Sequence, residues 1–244
     1  MAKIDSIIKK IEKFASLETA QPWDNSGWQI NLGIKETKKI LLALDVTEKT
    51  VDEAIKKHCD LIISHHPVFF APIKEISESF IIKAIQNNIQ IYSAHTNLDI
   101  AKGGVSDKLA EKCGIKATNE ICNFVKYTTF KKAQDFKALT DNIKRNFNVK
   151  SLKITNPIRK TFYSIAFCSG SGAEFIEELE KHDIDVFITG DVKHHDALSA
   201  KKMTVIDLGH FNSEKFCVEI FENLIQNEKI EIVKASEKQA WELV

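Results

Sequence analysis

The order of apolar and polar residues predicts an α/β chain of two related α/β/α lobes that arose by internal duplication. Three observations carry that expectation. Through the first hundred residues, short apolar runs alternate with stretches whose apolar residues recur at helical spacing, the rhythm of a layered α/β domain. A later segment, FYSIAFCSGSGAEFIEELEKHDIDVFITGDVKHHD at 162–196, repeats the order of LLALDVTEKTVDEAIKKHCDLIISHHP at 41–67: strand, turn, helix ending near Lys-His, apolar strand, His-His pair. Six of the eight histidines fall at predicted strand exits. The first lobe is expected over residues 1–117, joined by the C-terminal segment, and the second over 118–244, with no flexible linker between them.

The chain has 244 residues, 43% of them hydrophobic, enough for real cores. Lys+Arg and Asp+Glu both total 34, so net charge gives no signal for nucleic acid or an acidic membrane as partner. Five cysteines (Cys59, Cys113, Cys122, Cys168, Cys217) are scattered without C-x-x-C pairing. That usage fits free thiols in a reducing cytoplasm, where the protein is expected, and not a thiolate zinc site. The N-terminal MAKIDSIIKKIEKFAS reads as an ordinary amphipathic helix rather than a signal peptide, and no apolar run approaches membrane-spanning length.

In chain order, the loop QPWDNSGWQINLG (21–33) carries Trp23 and Trp28, which either staple it to the core or line a pocket. KILLALDVT (39–47) is a strand, and Thr47 can cap a helix bearing Val51, Ala54 and Ile55. DLIISHHPVFF (60–70) is a buried parallel strand stopped by Pro67, with His65 and His66 at its carboxyl end, where open α/β sheets gather ligands. Neighbouring residues of an extended chain point to opposite sides, so adjacent histidines suit two ions better than one. By itself the pair reads equally well as exposed loop histidines.

A helix from Ser77 and a strand IQIYSA (89–94) follow, running into His95-Thr96-Asn97-Leu98-Asp99. A helix from about Val105 to Cys113 closes at Gly114. Beyond residue 118 come β-rich ICNFVKYTTF, a helix from Asp135 to Phe147 and a strand near SLKIT. CSGSG (168–172) lies between a strand and a helix, either as a tight turn or as a phosphate cradle at a helix N-terminus.

Each copy of the repeat is followed by a strand ending in a similar word, SAHTNLD at 93–99 and LGHFNSE at 208–214. Facing lobes would bring His65, His66, His95 and Asp99 toward His194, His195, His210 and Glu214, giving a dinuclear metal site in the cleft between them. His58 and His182 lie in matched helix ends and read as structural. Imidazoles with two carboxylates suit zinc, iron, manganese, cobalt or nickel better than calcium or magnesium alone. Two such ions, roughly 3.5–4 Å apart, promote hydrolysis or water addition.

Together, HHP, HTNLD with its following GG, GD..HHD, GH..SE, WDNSGWQ and LALDVT resemble the Nif-three-like dinuclear metal-centre family, often named GTP cyclohydrolase 1 type 2 homologues. The resemblance covers the whole chain. It implies two α/β lobes, two divalent ions per chain and a ring-shaped homohexamer. The ligands it implies are His65, His66, Asp99, His210 and Glu214, with Glu214 as the bridge. His95, His194 and His195 then become outer or proton-transfer candidates, and His95 is the catalytic one. The implied activity is conversion of GTP and water to dihydroneopterin triphosphate and formate. A nucleotide metallophosphatase and a hexameric, partner-binding scaffold stay open beside it.

Overall fold

The computed structural model describes residues 1–71 and 73–241. By residue contacts the chain divides into two compact units, Met1–Gly104 with Cys217–Val244, and Val105–Phe216. The helix Val105–Lys112, which the sequence placed in the first lobe, therefore belongs to the second unit, where it packs on strand Thr161–Ser171. Its Leu109 and Ala110 join Phe136, Ile143, Phe162 and Phe167 in one core, and burial of that face decides its allegiance.

The first unit is built on a five-stranded sheet in the order Glu231–Lys234, Lys39–Ala43, Leu61–Ser64, Gln90–Ser93, Gly27–Ile30. The first four strands run parallel and Gly27–Ile30 is an antiparallel edge. Leu61, Ile62, Ile63 and Ser64 are all fully buried, as a central parallel strand covered on both faces requires. Helices Glu48–Lys56 and Ser79–Gln86 cover one face through Val51, Ala54, Ile81 and Ala84. Helix Cys217–Ile225 packs against Lys39–Ala43 and also meets helix Ile4–Phe14. Thr47 caps the first of these helices by accepting from the Thr50 N–H. The helix expected from Ser77 starts at Ser79.

The second unit has a six-stranded sheet in the order Asn119–Ile121, Val125–Asp135, Thr161–Ser171, Val186–Gly190, Thr204–Asp207, Lys153–Ile154. Its middle is parallel, from Thr161–Ser171 through Val186–Gly190 to Thr204–Asp207, and the flanking strands are antiparallel. The Asp135 side chain caps helix Phe136–Phe147 by accepting from Ala138 N–H. In each unit a five-residue helix follows the third parallel strand: Thr96–Ile100 after Gln90–Ser93, and His210–Glu214 after Thr204–Asp207.

Three helices hand the chain to the next parallel strand in the same way. After Glu48–Lys56, Ser79–Gln86 and Ile176–Lys181, the residues His58, Asn88 and Asp183 take left-handed backbone with φ of 57°, 57° and 51°. In each case that residue's N–H and the next one's reach back to the last turn, as in His58 N to Ile55 O at 3.0 Å and Cys59 N to Ala54 O at 2.9 Å. The following residue, Cys59, Ile89 or Ile184, is buried. This is the Schellman closure with its apolar contact. His58 is exposed and its conformation is one that glycine adopts without steric cost. We expect His58→Gly to raise the unfolding free energy by up to about 1 kcal/mol in a denaturant titration, with metal content unchanged by elemental analysis.

Candidate metal centre

In the first unit the donors stand past the ends of two neighbouring strands, Leu61–Ser64 and Gln90–Ser93. The backbone ladder continues past Ser64, His65 N–H bonding Ala43 O at 3.2 Å and His66 N–H bonding Leu44 O at 2.9 Å, so both histidines leave the sheet in fixed register. His65 is fully buried, with Nδ1 2.9 Å from the Ala94 carbonyl oxygen. A carbonyl can only accept, so Nδ1 carries the proton and Nε2, 3.5 Å from Asp99 Oδ1, presents its lone pair. His66 Nδ1 lies 2.7 Å from Asp45 Oδ1, and His95 Nδ1 lies 2.8 Å from Asp24 Oδ1. One ring nitrogen from each of His65, His66 and His95 falls within 4.8 Å of the others. Asp99 is buried on the short helix Thr96–Ile100.

Asp24 is the anchor of this cluster. Besides His95, its carboxylate accepts from Asn25 N (2.7 Å), Ser26 Oγ (2.8 Å), Thr96 N (3.1 Å) and Thr96 Oγ1 (2.6 Å). Burial pushes its pKa up, but the bonds from His95, Thr96 and Ser26 outweigh burial and hold it well below the carboxylate range. The loop at 21–33 is thus tied to the cluster by a charged hub. Trp28 staples the loop to the core, edge-on to buried Tyr92 at 5.4 Å between ring centroids, whereas Trp23 is 63% exposed.

In the second unit, His210 opens its short helix after Gly209, at φ 75°, and Glu214 stands one turn on. His210 Nε2 is 2.9 Å from Glu214 Oε2, and Nδ1 is 2.8 Å from Asp191 Oδ2. Burial lowers the His210 pKa, but Glu214 and then Asp191 raise it further, to about 9. A proton on Nε2 therefore holds the lone pair that a metal would use. Gly170, at φ 62°, has no room for a side chain, because a Cβ there would overlap Glu214 Oε1. A Cβ on Gly190 would come to 2.8 Å from the His210 backbone nitrogen. The glycines of CSGSG and ITGD thus admit the helix that carries His210 and Glu214.

That role corrects the phosphate-cradle reading of CSGSG. Gly170 N–H donates to Ser213 Oγ at 3.0 Å and Gly172 N–H to Thr189 Oγ1 at 2.9 Å, so both are committed inside the fold. His194 and His195 also differ from expectation. They begin the helix His194–Ser199 as exposed residues and belong to no close group of potential metal donors among the described residues. The residue leaving strand Val186–Gly190 is Asp191, whose φ of 53° turns the chain before the histidines are reached.

Three orienting residues, Asp24, Asp45 and Asp191, carry roles that reading the sequence did not assign. Asp45 and Asp191 are acids just past the ends of strands that neighbour a histidine-bearing strand, which is the signal that could have found them. The donor chemistry fits a first-row divalent ion: imidazoles with Nδ1 held by oxygen acceptors, and buried carboxylates beside them.

The family model for Duf34/NIF3 (NGG1p interacting factor 3) matches residues 2–240. A Clostridium acetobutylicum protein named GTP cyclohydrolase 1 type 2 homolog is 35% identical over 228 residues, covering 87% of this chain and 85% of its own. NGG1-interacting factor 3 of Saccharomyces cerevisiae is 28% identical over 270 residues, covering 95% and 93%. Among solved structures, reduced HcgD from Methanocaldococcus jannaschii superposes with a TM-score of 0.83 at 29% identity, over 97% of this chain and 98% of that one. With the family model spanning nearly every residue, the chain belongs to the Duf34/NIF3 family.

Proposed function

We propose that the protein is a divalent-metal-dependent hydrolase of GTP cyclohydrolase I type, converting GTP and water to dihydroneopterin triphosphate and formate. Two ions, of zinc, iron, manganese, cobalt or nickel, would be held by His65, His66, Asp99, His210 and Glu214. The observation that carries the reading is that His65, His66, His95 and His210 all have Nδ1 on an oxygen acceptor. That arrangement fixes the tautomer of a ligating imidazole and aims Nε2 at a cation. Assigning both sets of ligands to one dinuclear centre rests on the family resemblance and on the matched order of elements. In both units, strand, helix, strand, helix, strand leads to a five-residue helix bearing the acid, which also supports the two lobes' origin by duplication.

When bound, paired ions polarise an electrophilic centre and lower the pKa of coordinated water. The chain's own part is to orient donors and move protons. Asp24 holds His95 Nδ1, leaving Nε2 to accept a proton and pass it to a leaving group. The names of the curated bacterial relatives favour the cyclohydrolase reading, and the yeast relative's name favours a partner-binding role. Incubating metal-reconstituted protein with GTP separates the readings. Formate with a neopterin-type fluorescent product supports cyclohydrolysis, phosphate release supports a metallophosphatase, and neither product with any of the five metals supports a scaffold, for which native mass spectrometry should report six chains.

Glu214→Ala should lose more metal than His194→Ala in elemental analysis, and Gly170→Ala should also lose metal, because its methyl group displaces the Glu214 carboxylate. Two tightly retained ions in Glu214→Ala would overturn the ligand assignment. His95→Ala should keep both ions and lose turnover by about 10²- to 10⁴-fold; loss of metal in that variant would make His95 a ligand instead. Metal affinity should also depend on pH with a definite sign. Below about 9 the His210 imidazole is protonated in the metal-free protein, so a metal must displace that proton. Affinity measured by chelator competition should fall by about tenfold per pH unit from 9 to 7 for this one proton. A flat profile would remove His210 from the ligand set.

A further inference from the structure

Two large aromatic side chains stand open beside the histidine cluster of the first unit. Trp23 is 63% exposed and Phe70 is 55% exposed. Both meet the same imidazole edge-to-face: Trp23 lies 6.0 Å from His95 between ring centroids at 72°, and Phe70 5.7 Å at 87°. Phe70 also lies 6.5 Å from His66. An edge-to-face contact uses at most one face of each ring, so neither contact accounts for the exposed remainder.

The two rings are carried by loops that are firmly braced to each other. Asn25 Nδ2 donates to Phe69 O at 2.6 Å, Phe69 N–H donates to Gln29 Oε1 at 3.2 Å, and Gln29 Nε2 donates to Asn25 O at 2.6 Å. Asp24, next to Trp23, is the carboxylate that holds His95. Mobile surface loops would need none of this, and burying the rings would remove apolar area from water. The fold instead fixes two exposed π-surfaces at the rim of a metal-ligand cluster.

We propose that Trp23 and Phe70 are the walls of a subsite that takes a planar heteroaromatic ring, a purine base, and holds it by stacking beside His95. The proposal deepens the hydrolase reading and rests on it for the identity of the ring. Stacking tolerates any base because each has a π-face, and it contributes on the order of 1–3 kcal/mol per base, or about 5- to 100-fold in affinity. Trp23 and Phe70 thereby become base-binding residues that hold ground and transition state alike, so their loss should raise KM and spare kcat.

The test reads Trp23 fluorescence in zinc-loaded Trp241→Phe protein, which removes the 80% exposed tail tryptophan and keeps half-buried Trp28 as internal reference. GTP and GMP should quench saturably beyond a free-tryptophan control, and inorganic tripolyphosphate should not. Phe70→Leu should weaken the apparent affinity by about 5- to 100-fold, and Phe70→Tyr should restore it. Absence of saturable quenching, or equal affinity in Phe70→Leu, overturns the subsite. Formate and phosphate release are measured on the same samples. Phe70-dependent binding without product keeps the subsite and defeats the hydrolase reading, whereas turnover with unchanged KM in Trp23→Leu and Phe70→Leu does the reverse.

Discussion

A neutral imidazole has one lone pair to give, and whatever holds its other nitrogen decides where that pair points. In this protein His65 is held by the Ala94 carbonyl, His66 by Asp45, and His210 by Asp191. Each of these oxygens belongs to a segment leaving the strand next to the histidine's own. The adjacency of Lys39–Ala43, Leu61–Ser64 and Gln90–Ser93 therefore sets the tautomers of His65 and His66. Slipping Leu61–Ser64 by one residue would exchange the directions of the two rings and part both from their acceptors. The buried Leu-Ile-Ile-Ser run, which cannot slip without disturbing two packed faces, is what fixes the directions of the two rings at its end.

His95 is the exception, because its tether comes from a loop instead of a strand exit. Asp24 keeps its charge despite its burial by collecting donors from His95, Thr96, Ser26 and Asn25. The same loop is pinned farther on by the His95 N–H donating to Ser26 Oγ at 3.0 Å, and beside it Asn97 Nδ2 donates to Ala15 O at 2.8 Å. A segment without regular secondary structure is thus ordered by charge and hydrogen bonds. That preorganisation places an imidazole and an aromatic ring together with little left to order on binding.

Most of the layered order was legible in the sequence because parallel strands and amphipathic helices write different periods. Thr47 marked a helix start through its capping chemistry, the helix from Asp135 showed by its amphipathic period, and the strands at 39–47, 60–70 and 89–94 were visible as apolar runs. The start of the helix at Ser79 was harder, since Glu78 at its N-cap makes no side-chain capping bond. The placement of Val105–Lys112 was not legible either, because its apolar face fits a core but does not say which one. At the site, the histidines and Asp99 announced themselves by residue type. Asp24 did not, because its role is set by four partners spread from residue 25 to residue 96, and Gly170 read as either a tight-turn or a phosphate-loop glycine, since the close approach of Glu214 is not visible in the sequence.

The two units carry different residues at matching points of their strand order. The middle parallel strand of the first unit, Leu61–Ser64, exits into His65 and His66, whereas its counterpart Val186–Gly190 exits into Asp191. One position thus carries metal-type donors and the other the carboxylate that orients a donor on the next strand. The acids on the following short helices show the same divergence. His95 and Asp99 share the spacing of His210 and Glu214, but Asp24 holds His95 in the cluster with His65 and His66, while His210 Nε2 lies at ion-pair distance, 2.9 Å, from its own Glu214. The first unit gathers His65, His66 and His95 in one cluster, whereas the second sets His210 between Glu214 and Asp191. Because Asp191 turns the chain at the exit of Val186–Gly190, His194 and His195 are reached only in the helix beyond it, where both are exposed.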